Sequence, residues 1–95
     1  MKVKVTERDI KNGQRGSDSH CPIALALRRQ THKKVSVMYT NCYIKNKPVR
    51  PMDRYHIPDI AADFIGKFDH CEEVQPFEFE IEKCAENSII CKTIY

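Results

Sequence analysis

Six residues, Pro22 to Leu27, constrain the fold more than any other stretch of the chain. Ile23-Ala24-Leu25-Ala26-Leu27 is a run of helix formers directly behind a proline. Proline suits the first helical position, where its missing N–H is not needed. Cys21 then stands as the cap residue with Ser19 close by, and the helix is expected to reach about Gln30. Its first two turns carry no wide polar stripe, so a helix lying on a surface with one face in water is excluded. It is expected to be covered on more than one side, by its own sheet and by a second subunit. Arg28 and Arg29 arrive at the C-terminal end, where cations complement the helix dipole.

The second constraint is PFEFEIE, Pro76 to Glu82, a strict two-residue alternation. It predicts a strand with Phe77, Phe79 and Ile81 towards the core and Glu78, Glu80 and Glu82 towards water. Met1–Val5 alternates in the same way, with Val3 and Val5 against Lys2 and Lys4. Thr6 caps a short helix running to Lys11, with Glu7 and Asp9 in its first turn, and Gly13 and Gly16 mark a loop. Lys34–Tyr39 reads as a strand. Cys42–Ile44 and Val49–Met52 are weaker strand candidates, broken by Asn46, Pro48 and Pro51. Pro58 opens a second main helix, whose stripe is Ile60, Ala61, Phe64, Ile65 and Phe68. The tail SIICKTIY offers one more strand, within the chain or across a dimer.

The order is β-α-β-β-α-β plus a C-terminal strand. It predicts an α+β domain: a mainly antiparallel sheet with two main helices packed on one face. A split arrangement would set the first strand beside PFEFEIE, so that Lys2 and Lys4 oppose the exposed glutamates. Ninety-five residues make one domain, 1–95, with 83–95 as a C-terminal extension.

Charge is distributed unevenly. Residues 1–54 hold 13 Lys and Arg against 4 Asp and Glu, and residues 55–95 hold 3 against 9. Either complementary strands neutralise each other or a basic face meets a phosphate-bearing partner. No apolar run approaches the ~20 residues of a membrane span, and MKVKVTERD lacks the apolar centre of a signal peptide. The chain is expected to work in the cytoplasm, away from membranes. Five cysteines without a CxxC pair fit reduced thiols better than a disulfide framework.

CPIALAL at 21–27, FIGKFD with VQPFEFEI across 64–81, and the TxxDIxxG opening from Thr6 to Gly13 together resemble a family of small bacteriophage and prophage proteins. The likeness spans about residues 1–82. It implies a phage-derived protein acting in a bacterial cytoplasm, in the manner of accessory counter-defence factors. It carries no activity onto particular residues.

Four chemistries are open to the residues. The start of the Pro22 helix offers unpaired amides to a phosphate, with Arg15, Ser17, Ser19 and His20 as side-chain donors and Arg28, Arg54 and Tyr55 lining the pocket. The alternative is a loop that only caps the helix. Cys21 is a candidate nucleophile with a lowered pKa, or else a small core residue. His20-Cys21 and His70-Cys71 repeat a metal-binding dipeptide without the usual ligand spacing, so no metal or other cofactor is expected. Finally, Arg28, Arg29, Lys33, Lys34, Lys45, Lys47, Arg50 and Arg54, interleaved with Tyr39, Tyr43 and Tyr55, form a basic segment for nucleic acid or a protein. The expectation drawn is a non-catalytic, homodimeric binder that sequesters a phosphorylated nucleotide signal. The alternative is an inhibitor of a host defence protein, or a nucleic-acid-binding regulator using residues 28–54.

Overall fold

The computed structural model describes residues 1–49 and 51–84. Along the chain run β1 (Lys2–Val5), α1 (Glu7–Asn12), α2 (Pro22–Thr31), β2 (Val35–Val37), β3 (Asn41–Ile44), β4 (Asp53–His56), α3 (Asp59–Asp69), β5 (Phe77–Glu80) and β6 (Glu82–Lys83). The class is α+β with antiparallel pairing throughout, as the patterning requires. The strands divide between two sheets: β1 with β5, and β2-β3-β4-β6 in that order.

β1 and β5 pair in the register that the alternation of both segments dictates. Lys2 faces Glu80 and Lys4 faces Glu78, while Val3 faces Phe79 and Val5 faces Phe77. Lys2 Nζ reaches Glu78 on the diagonal at 3.7 Å. Part of the charge asymmetry is therefore neutralised inside the fold.

PFEFEIE does not serve a single neighbour. Ile81 N–H still donates to Met1 C=O at 2.9 Å, but Glu82 and Lys83 pair with His56 and Tyr55 of β4, and Cys84 N–H donates to Arg54 C=O. The run changes partner at Ile81 and so joins the two sheets. Lys83, expected to begin an extension, belongs to the fold, and the expected tail strand lies outside the described residues. A second correction concerns Val49–Met52. The strand after the turn is Asp53–His56, because Pro48 precedes and Pro51 interrupts the earlier segment and proline cannot donate to a ladder.

α2 touches α1, β1 and β2. β1 and β2 stand at the two ends of the strand succession, and α2 packs against both, so the helix bridges those ends. That is the cover its sequence demands, and it comes from within the chain. Ile23, Ala24, Ala26 and Leu27 have no exposed surface and Leu25 is half-buried. Burying Ile23 and Leu27 contributes about 1.5–3 kcal/mol each.

α2 also closes the open edge of β1. Gln30 accepts from Lys4 N–H at 2.8 Å and donates to Lys2 C=O at 2.9 Å, and Arg29 donates to Lys4 C=O. An amide side chain here takes the place of a neighbouring strand, which blunts an edge that would otherwise invite pairing.

The TxxDIxxG opening is structural. Thr6 and Asp9 form a reciprocal capping box. Asp9, buried, also receives Arg29 at 2.8 Å, and Ile10 packs on the core. A Cβ on Gly13 would stand 2.6 Å from the Pro22 ring, so glycine is what lets the end of α1 press against the start of α2. α3 buries Ala61, Phe64, Ile65 and Phe68 as expected. Ile60 is a correction: it is exposed, lying at the edge of the helical arc that those four define.

Candidate functional site

The loop before α2 is pinned from several sides. Gly16, at φ +68, donates to Asp69 Oδ1 at the end of α3. Asp18 C=O accepts from Val37 N–H, and Asp18 Oδ2 accepts from Ser36 Oγ at 3.2 Å. Ser17 Oγ accepts from His20 N–H. His20 is held at both ring nitrogens, with Nδ1 2.8 Å from Ser19 Oγ and Nε2 3.1 Å from Arg28 Nη1. A guanidinium only donates, so Nε2 is the acceptor and Nδ1 carries the ring proton towards Ser19. Arg28 Nη1 also reaches Ser19 C=O at 3.4 Å.

Ser17, Ser19, His20 and Arg28 are therefore brought together, but mainly to bond one another. Arg15 lies near them along the loop, with its guanidinium over the Phe68 ring at 5.5 Å from the centroid, a cation–π contact. Tyr55 does not join this group, its hydroxyl accepting from Asn46, and Arg54 lies on the opposite face of the sheet from it. Adjacent strand residues point to opposite faces. Tyr55 lies in the row Val37–Cys42–Tyr55, packed on the core, and Arg54 in the row Ser36–Tyr43–Arg54 on the other face.

The amides behind Pro22 are not open. Pro22 has no N–H, Ala24 N–H donates to Cys21 Sγ at 3.4 Å, and Leu25 N–H donates to Cys21 C=O. Cys21, Pro22, Ile23 and Ala24 are all buried. The helix start is thus capped by a sulfur and largely buried, and the cleft that Cys21 lines carries the carboxylates of Asp18 and Asp69, which disfavours the anion site expected there. Burial pushes the Cys21 thiol above its ordinary value, outweighing the lowering by the Ala24 and Ile23 amides. Its neighbour His20 is engaged with Arg28 and Ser19, so the pair lacks the geometry of an activated nucleophile.

Two concavities flank this loop and its helix. The first, about 500 Å³, lies between the loop, the end of β2 and α3, and both its ionised groups are carboxylates, Asp18 and Asp69. The second, about 360 Å³, sits where α2 ends, lined by Arg28, His32, Lys33 and Lys34. Here His32 takes a left-handed conformation, φ 57, and its N–H closes the helix on Arg28 C=O at 2.8 Å. That turn swings Lys33 and Lys34 back beside the helix end. Lys33 Nζ donates to Asn46 Oδ1 at 2.9 Å. Asn46 in turn donates to Asp53 and to the Tyr55 hydroxyl. The bond from Asn46, aided by Lys83, holds the Asp53 carboxyl below its usual range.

This basic cleft was legible only as composition. The clustering of its members depends on the αL turn at His32, a residue type seldom found in that conformation. Among the described residues no group of three or more His, Cys, Asp or Glu could hold a metal ion, and no helix is long and apolar enough to cross a membrane. Comparison of the chain with family models, curated proteins and solved structures finds no match.

Proposed function

We propose that the protein is a non-catalytic binder of phosphate-bearing ligands, and that it grips them in the basic cleft at the end of α2. One observation carries this reading: Arg28, His32, Lys33 and Lys34 line a concavity to which no carboxylate among the described residues contributes. The cations satisfy the helix C-terminus as well, but the dipole needs one or two charges, not a ring of them. Among the described residues no aromatic or aliphatic side chain lines it to enclose a base. The reading is therefore phosphate recognition along a polyanion, a nucleic-acid strand above all, in preference to capture of a single nucleotide. Action by stoichiometric binding agrees with a buried, raised Cys21 thiol and a committed His20. The phage resemblance supplies the setting: a counter-defence or regulatory protein in a bacterial cytoplasm.

Fluorescence anisotropy with labelled single-stranded DNA, RNA and duplex DNA tests this directly. Binding should weaken steeply with salt. Lys33→Ala and Lys34→Ala should each lower affinity across all sequences and reduce the log–log salt slope by about 1. Absence of binding at low salt, or binding indifferent to both substitutions, overturns the reading. A second arm screens cyclic and adenine nucleotides by thermal shift. A response abolished by Arg15→Ala would move the site to the 15–21 loop and restore nucleotide sequestration.

A further inference from the structure

We infer that the cleft between the 16–18 loop, the end of β2 and α3 is a second binding site, one for a small organic cation with an apolar body. Its volume, about 500 Å³, falls in the range of small-molecule pockets, roughly 300–1,000 Å³. The floor is apolar and built from the core, with Cys21, Val37 and Ile65 all buried and all lining it. At the rim, Met38 and Tyr39 are 53% and 51% exposed, which leaves a thioether and a phenol ring beside the opening with no covering element among the described residues. An ammonium or guanidinium is attracted to a tyrosine face, and methionine adapts to an aromatic body.

Charge fixes the sign of the ligand. Asp18 and Asp69 are fixed in place, Asp18 by the Ser36 hydroxyl behind the cleft and Asp69 by the Gly16 amide at its wall. An ionised carboxylate has about four acceptor positions, so each retains capacity for a further donor. Among the described residues no Lys, Arg or His lines the cleft. The cation nearest in sequence, Arg15, is drawn onto the Phe68 ring. Anions are disfavoured there, neutral apolar molecules leave the carboxylates unused, and an arylalkyl or alkyl ammonium satisfies both parts of the wall. This inference does not depend on the basic cleft, which shares no residue with it.

The probes are phenethylammonium and agmatine, with phenylacetate and benzyl alcohol as anionic and neutral counterparts. They are titrated into the 15N-labelled full chain and followed by amide shifts in NMR. The cations should saturate, and the perturbed amides should centre on Gly16–Asp18, Val37–Tyr39 and Asp69. Asp18→Asn and Asp69→Asn each keep an oxygen for Ser36 or Gly16, so the loop stays in place. Each should weaken the cations about 3-fold and the double variant about 10-fold, the scale of a partly exposed ion pair. Unchanged amide positions elsewhere in each variant's spectrum separate lost binding from lost folding. Equal binding of phenylacetate, shifts mapping outside the cleft, or no saturation by either cation would each overturn the inference.

Discussion

Cysteine shows at the scale of single residues how burial decides chemistry. Cys21 at a helix start and Cys42 in mid-strand differ in local context, yet both are buried and both thiols are raised, Cys42 to about 12, with burial the leading cause and nearby Cys84 and Cys21 secondary. From sequence alone Cys21 read either as a lowered, reactive thiol or as packing. The amide donors that lower it were legible from Pro22, whereas the surrounding protein that raises it was not. The sign of the pH dependence follows. Between the unfolded thiol value of about 8.5 and the folded value of about 12 for Cys42, the unfolded chain gives up a proton that the folded chain keeps. Stability is thus full below about pH 8.5 and falls as pH rises through that window. Cys42→Ala should flatten part of that alkaline decline in thermal melts, at the expense of stability at pH 7. Among the described cysteines, thiol titration at pH 8 should label exposed Cys71 first, with Cys21 and Cys42 reacting only on unfolding. Prompt labelling of Cys42 in the native state would contradict its burial.

Elements were readable in proportion to how regularly they alternate. PFEFEIE and KVKV each carry their register in their side chains, so their pairing, down to lysine facing glutamate, could be anticipated. β4 could not. Asp53-Arg54-Tyr55-His56 has no apolar alternation and is nowhere fully buried, because its inner face is closed by the polar group of Asn46, Asp53 and Tyr55. The change of partner at Ile81 is equally silent, since an inward isoleucine suits either sheet. The short α1 was legible through its cap, but the purpose of Gly13 appears only when α1 meets α2. Its φ of −68 suits any residue, so the requirement is space beside a rigid proline ring. Gly13→Ala should therefore destabilise by about 1–3 kcal/mol, the usual penalty of overpacking, and Gly66→Ala, with open space at its Cβ, should not. Urea melts of the two variants check the contrast; equal stability would mean that the α1–α2 contact yields easily.

For the whole molecule, the question is what the opposed charges of the two halves accomplish. One use is internal, the lysines of β1 against the glutamates of β5, but Lys2 and Glu78 remain 63% and 47% exposed, and such pairs contribute about 0–1 kcal/mol. The half-buried Arg29–Asp9 contact is shorter, at 2.8 Å with Asp9 7% and Arg29 48% exposed, but both partners lie in the basic half. Neither accounts for Arg28, His32, Lys33 and Lys34 gathering around one cleft. If that surplus is there for a ligand, stability and binding must respond to salt very differently. Raising NaCl from 50 to 500 mM should move the melting temperature by less than about 5 °C, since a change of 1 kcal/mol corresponds to about 4–8 °C in a domain of this size. Over the same interval, binding to a nucleic acid through two or three phosphates should fall about 25- to 500-fold. A melting temperature that drops by more than about 10 °C would instead assign the asymmetry to holding together the strands that α2 bridges, and would leave the basic cleft without a function of its own.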